Sequence, residues 1–128
     1  KYATNPVHSL EELTLLHSRF PNSIRLFMAF NDKGIAIGGT IIYEMPQVVH
    51  TQYISASPEG KRLGAIDLLF DYILNDVYAN RKGFFDFGKS TEEEGKILNT
   101  TLIFQKEGFG GRGVCYDCYT WETRSVIE

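Results

Sequence analysis

Residues 48 to 87 join a strand-like run, a short glycine-bearing turn, an amphipathic helix and a second short apolar run, in that order. From Gly64 to about Tyr78, Ile66, Leu69, Phe70, Ile73 and Val77 recur at offsets of three and four, while Asp67, Asp71 and Asn75 fill the opposite face. Asn80-Arg81-Lys82-Gly83 ends the helix. Phe84 to Phe87, followed by Gly88, then reads as a buried strand parallel to Val48–Ala56. A strand, a helix and a parallel strand close a right-handed crossover, so this stretch commits the chain to an α/β sheet.

Upstream, Ser9 and Glu12 form a capping box, and Leu10, Leu13, Leu16 and His17 keep helical spacing until Phe20-Pro21 stops them. Ile24 to Phe30 and Ile35 to Glu44 flank Asn-Asp-Lys-Gly, a hairpin turn. Met45-Pro46-Gln47 turns the chain into the third strand of an antiparallel meander. Gly38-Gly39 marks a bulge or a close backbone approach. Downstream, Thr91 with Glu94 predicts a capped helix through Leu98 and Leu102 to Glu107, and Val114 to Glu122 reads as a closing strand. The fold class expected is α/β, a mixed sheet with the meander feeding the crossover and helices on both faces.

A chain of 128 residues with 43% hydrophobic and 23% charged content is ordinary for one soluble globular domain. Its net charge of −3 gives no overall electrostatic case for DNA binding. No run approaches a membrane span and the N-terminus lacks signal-peptide character, so the expected compartment is the cytoplasm. Cys115 and Cys118 form a C-x-x-C, but a three-residue offset on a strand sends the two thiols to opposite faces, so they are expected to be buried and reduced. No further ligands stand at motif spacing, and no metal is expected.

The turn SPEGKRLGA carries the clearest chemistry. A helix start leaves backbone N–H groups without partners and bears the positive end of the peptide dipole, so Glu59, Gly60, Lys61, Arg62, Leu63, Gly64 and Ala65 are candidates for holding a phosphorylated cofactor. The alternative reading makes Ser57 an N-cap and Pro58 a first-turn residue, with the glycines easing the bend. His50 shares a strand face with Gln52, and the ordinary histidine pKa near neutrality suits a general base. Glu44, at the end of the neighbouring strand, is a second base candidate. Asp86 reads as structural, and Phe84, Phe85, Phe87, Phe104 and Phe109 as mostly core.

The element order, with KRLGAI, GFFDFGKS and IFQKEGFGG, resembles the GNAT acyltransferases over roughly Ile24 to Trp121, and the last two motifs together resemble the FemAB-like branch. The resemblance implies acyl transfer from a thioester, most simply acetyl-CoA, to a small-molecule or peptidyl amine. In the FemAB branch the donor is aminoacyl-tRNA. Pyrophosphate would lie at Glu59 to Ala65 and the pantetheine arm between the splayed strands. The turn keeps Gly64 but ends in Ile66 where the family has a small residue, and Phe104 stands where a proton-donating tyrosine is usual. Lys106 matches the FemAB-type lysine that stabilises developing negative charge. The alternative is a non-catalytic half of a tandem transferase, serving a binding or scaffold role. A GNAT core begins with a further strand and helix, and this chain starts at Lys1. The resemblance therefore implies a single GNAT-like domain over 1–128, the C-terminal part of a longer parent, with an open edge covered by a missing N-terminal domain or a second copy.

Overall fold

The computed structural model describes residues 5–123. Helix α1 (Leu10–Arg19) starts at the expected capping box, where the Ser9 hydroxyl accepts from the Glu12 N–H and the Glu12 carboxylate accepts from the Ser9 N–H. Strands β1 (Ile24–Phe30), β2 (Ala36–Glu44) and β3 (Val48–Ala56) form the antiparallel meander. A six-residue helix α2 (Pro58–Leu63) precedes α3 (Ala65–Tyr72), whose last turns are wound as a π-helix over Ile73–Val77. Strand β4 (Phe84–Asp86) then pairs with β3 in parallel, giving a four-stranded mixed sheet in the order β1-β2-β3-β4. This is the α/β crossover that the sequence predicts.

The core lies between the sheet and α3. Ala29, Ile37, Ile42 and Val49 on the strands meet Ala65, Leu69 and Ile73 on the helix. Phe70, fully buried, stacks on Phe109 at 4.9 Å and packs against Phe85 and Phe87. The expected aromatic core is therefore real but partial, because Phe84 and Phe104 are both exposed. Gly38 is one of the close approaches: a Cβ there would stand 3.0 Å from the Ala65 Cβ. The other sheet face receives the chain just before α1, where His8 Nδ1 lies 2.8 Å from the Tyr53 hydroxyl. Much of that face is open, with Leu26 and Met28 exposed.

Two downstream expectations are corrected. Thr91 and Glu94 do not cap a helix. Thr91–Glu92 (β5) and Ile97–Leu98 (β6) form a small hairpin whose turn carries positive φ at Glu93, Glu94 and Gly95, which rules out continuing helix. Helix α4 (Thr100–Gly108) is capped instead by Asn99, whose side chain accepts from the Leu102 N–H at 2.9 Å. The segment from Val114 pairs with no strand among the described residues. Val114, Tyr116, Tyr119 and Trp121 are exposed, and so are the free thiols of Cys115 and Cys118, which the sequence placed in the core. Alternation there encodes a strand, but pairing needs an edge to meet it.

At the α2 start, the Ser57 N–H donates to the Ile37 carbonyl at 3.0 Å, and a Cβ on Gly60 would overlap that carbonyl. Gly60→Ala is therefore expected to cost about 3 kcal/mol, the upper end of overpacking effects. Gly34→Ala, in open space but at φ +75, is expected to cost only about 1 kcal/mol. Urea denaturation of the two variants checks the order; equal losses would refute the contact argument.

Candidate active site

The parallel pairing of β3 with β4 is short. It joins Val48 to Phe84, Val49 to Phe85 and His50 to Asp86, and there it ends. Beyond His50, β3 keeps β2 on one side and has no β4 partner on the other, which leaves a strand edge where the two parallel strands part. Cross-strand pairing and alternation put Arg25, Ile42, Glu44 and Val49 on the α3 face and Tyr43 and His50 on the open face. That open face carries a shallow apolar groove of about 320 Å³, lined by Leu26, Met28, Gly39, Ile41, Tyr53 and Ser55 among others.

At the parting point the polar groups converge. His50 Nδ1 lies 2.7 Å from Asp86 Oδ2, and His50 Nε2 lies 3.2 Å from Gln52 Oε1. The second carboxylate oxygen, Asp86 Oδ1, accepts from the Gly88 N–H at 2.8 Å. Gly88, at φ +74, folds the chain over the imidazole, so that a Cβ there would stand 3.6 Å from His50 Cε1. The Tyr43 ring lies 6.4 Å from the imidazole, and its hydroxyl is shut from solvent without a hydrogen-bond partner among the described residues. Burial, then the neighbouring Tyr53, raises the Tyr43 pKa above the usual phenol range.

Lys106 is neither a solvated helix end nor a free cation. It is only 7% exposed, and its Nζ donates to the Gly88 carbonyl at 3.0 Å and the Lys89 carbonyl at 2.7 Å. Burial lowers its pKa below the ordinary lysine range, opposed by the charge of Asp86. Glu44 does not join His50. It lies on the other face of the sheet, ion-paired to Arg81 at 2.6 Å and to Arg25 at 3.6 Å, and it accepts from the Tyr78 hydroxyl at 3.0 Å. With these partners Glu44 closes a structural network, so the two proposed bases do not converge.

The anion-binding stretch is likewise narrowed. The Gly60 N–H donates to the Ser57 hydroxyl and the Lys61 N–H to the Ser57 carbonyl, while the Gly64 N–H returns to the Gly60 carbonyl. Ser57 is thus the N-cap, as the alternative reading had it, and Glu59 to Leu63 are helix. The Glu59 carboxylate takes a long hydrogen bond from Asn31, and Lys61, Arg62 and Leu63 are exposed. Gly64, at φ +70, ends α2 and begins α3 without a side-chain cap. The first bond of α3 runs from the Leu68 N–H to the Gly64 carbonyl, which leaves the Ala65, Ile66 and Asp67 N–H groups as the unpartnered start of the helix. Only Gly64 and Ala65 of the predicted set reach that start. Asp67 stands in the first turn and supplies a negative charge of its own.

Asp86, which the sequence reading took as structural, stands beside His50. Its signal lay in the crossover, since pairing β3 with β4 in parallel sets Asp86 beside His50. No group of three or more His, Cys, Asp or Glu able to hold a metal occurs among the described residues. No helix among them is long and apolar enough to cross a membrane.

No family model and no curated protein matches this chain. Solved structures do. The aminoglycoside 6'-N-acetyltransferase AAC(6')-Iy, solved with a CoA-based bisubstrate analogue, superposes with a TM-score of 0.66 at 15% identity, covering 93% of this chain and 84% of its own. The corresponding enzyme AAC(6')-Ih of Acinetobacter baumannii gives 0.61 at 14% identity, over 94% and 84% of the two chains. A putative acetyl transferase of Pyrococcus furiosus gives 0.57 at 12%, over 93% and 84%. The fold is therefore that of the GNAT acetyltransferases.

Lys106→Met removes two charge-assisted hydrogen bonds and leaves two carbonyls to be rehydrated, an expected loss of about 2–4 kcal/mol in urea unfolding. A loss below about 0.5 kcal/mol would return Lys106 to a surface role. The sign of the pH effect also follows. A lysine whose folded pKa is depressed binds its proton more weakly than in the unfolded chain, so the wild type gains stability relative to Lys106→Met as pH rises through the window just below the ordinary lysine range.

Proposed function

We propose that the chain is an N-acyltransferase that moves an acetyl group from acetyl-CoA to the amine of a small molecule. One observation carries the reading: a histidine backed by a carboxylate stands where two parallel strands part, in a fold shared with acetyltransferases solved with CoA-type ligands. Acetyl-CoA supplies an activated thioester. The start of α3 offers N–H groups of Ala65, Ile66 and Asp67 to a pyrophosphate, with Lys61 and Arg62 adding charge from the last turn of α2. The free edge of β3 beyond His50 offers backbone groups to the pantetheine amides.

His50 serves as the base. Its Nε2 takes a proton from the incoming ammonium, so that the amine is free to attack the thioester carbonyl; the C–N bond forms as the C–S bond breaks, and the thiolate takes up the proton that the acylated nitrogen sheds. In this reading Lys106 holds the Gly88–Lys89 turn and does not touch the reacting atoms. A second reading, a non-catalytic binding half of a tandem FemAB-like transferase, is favoured by Asp67, whose carboxylate already complements the α3 dipole, and by the engagement of Lys106. The aminoacyl-tRNA donor belongs to that reading, as does a partner domain beside the open face.

Acetyl-CoA at a hundred times its Kd is expected to add about 2.7 kcal/mol of stability, read as a rise in Tm. With an aminoglycoside or a polyamine as acceptor, thiol release is expected, and His50→Gln should lower kcat roughly a hundredfold or more. The absence of both a Tm rise and thiol release would reject the enzyme in favour of the binding half.

A further inference from the structure

Building on the reading of His50 as base, we infer that Asp86 is its positioning residue: it holds the imidazole as the Nδ1–H tautomer, leaves Nε2 as the proton-accepting atom, and balances the imidazolium that forms. The argument is a count of donors and acceptors. Asp86 offers two oxygens to two donors, Oδ2 to His50 Nδ1–H and Oδ1 to the Gly88 N–H. Both oxygens are used, so the carboxylate cannot turn. The Gly88 carbonyl is in turn held by Lys106, whose ammonium also grips the Lys89 carbonyl. This links α4 through the turn and the carboxylate to the imidazole in one continuous chain of hydrogen bonds.

At the other end of the ring, Gln52 Oε1 lies 3.2 Å from Nε2. A neutral Nδ1–H imidazole offers a lone pair there, which an amide oxygen would repel, so in that state the Gln52 amide turns its NH2 toward Nε2. Once Nε2 gains a proton, the same amide oxygen is placed to accept from it, while the carboxylate faces the opposite nitrogen of the charged ring. The His50 side chain is 26% exposed, so a substrate ammonium can reach it. The groups facing the ring are Asp86 from β4, Gln52 from β3, Tyr43 from β2 and the Gly88 turn; the Lys106 cation acts on Asp86 from α4. Asp86 is the one carboxylate in that set, and Glu44 is on the far face of the sheet.

Asp86→Asn keeps the shape and changes the count. An amide has one oxygen for two donors, so the Gly88 N–H and His50 Nδ1–H compete for it, and the Nε2–H tautomer, with Gln52 Oε1 as ready acceptor, becomes the better solution. The decisive measurement is nitrogen-15 NMR of the His50 ring in the whole chain. Wild type is expected to carry its neutral-form proton on Nδ1, and Asp86→Asn is expected to move it to Nε2. The wild-type spectrum stands as a test even if the variant fails to fold: a neutral Nε2–H ring in wild type overturns the inference. A ring unchanged between wild type and a folded variant overturns it too.

Kinetics supply the second arm. Asp86→Asn is expected to lower kcat for acetyl transfer at least roughly tenfold, within the loss that a wrong tautomer causes in other His–Asp pairs. It should also move the acidic limb of the kcat/KM profile to lower pH, because the protonated ring loses its counter-charge. A limb that stays in place while kcat falls assigns Asp86 a purely structural role and refutes the positioning. If the wild type transfers no acetyl group, the proposed function fails by that assay alone, while the spectrum still decides whether Asp86 sets the tautomer.

Discussion

Everything in this fold hangs on how closely the corner between β3 and α2 presses against β2. Ser57 makes that contact in two ways, since its N–H donates to the Ile37 carbonyl and its hydroxyl reaches the same carbonyl at 3.3 Å, and that hydroxyl also caps α2 by accepting from the Gly60 N–H. Gly60 lets the helix lie on the carbonyl, and Gly38 lets Ala65 lie on the sheet. The direction of α3 follows from these two approaches, and the core follows from α3. Leu69 and Ile73 fill the space over the strands, and Phe70 reaches sideways to Phe85, Phe87 and Phe109. Through Phe109, just past α4, the same helix settles where Lys106 stands.

The sheet then keeps two polar networks apart. On the α3 face, Glu44 is shared among Arg25, Arg81 and Tyr78; the Arg81 guanidinium also bonds the Met45 carbonyl, so the group closes the turn before β3. On the open face, Asp86 is shared between His50 and the Gly88 N–H. The two carboxylates lie on opposite faces of the sheet, so neither can stand in for the other. A buried cation such as Lys106 is costly unless its protons are used, and here two carbonyls of the Gly88–Lys89 turn receive them. The same bonds that offset that cost stiffen the turn that holds Asp86.

The crossover was legible because its signals are local. Helical periodicity over residues 64–78, a capping serine at 57 and the glycines at 83 and 88 each fix their own stretch of backbone. The capping box at Ser9 was legible for the same reason. The Thr91–Glu94 pair has the same spacing and failed, because Gly95 and two left-handed glutamates turn the chain before a helix can start, and Asn99 caps it later. Val114 to Glu122 has a strand's alternation, but a strand is a pairing between distant segments and the sequence does not name its partner. The places of His50 on β3 and of the α2–α3 corner could be read from residue types and spacing. Asp86 could not be read from spacing, since its role comes from a register 36 residues away. Glu44 looked like a base while its three partners, on β1 and beyond α3, were out of view.

Under the proposed function, the geometry also orders how two substrates would meet. His50 and the groove share the open face, so an amine giving its proton to Nε2 would approach from there, over a floor of Leu26, Met28 and Ile41 that offers apolar contact and no second charge. A donor held by the start of α3 and the free edge of β3 comes from the side where the strands part. The two paths cross at His50, Gln52 and Asp86. Tyr43 stands beside that crossing with a buried hydroxyl that has no hydrogen-bond partner among the described residues. Burial keeps that phenol protonated well into the alkaline range, so it is a donor and not an acceptor at neutral pH. Under the proposed function, a base whose proton-accepting nitrogen is held by a carboxylate and a neighbouring phenol that keeps its proton would be the two complementary groups for transfer between an ammonium and a thiolate.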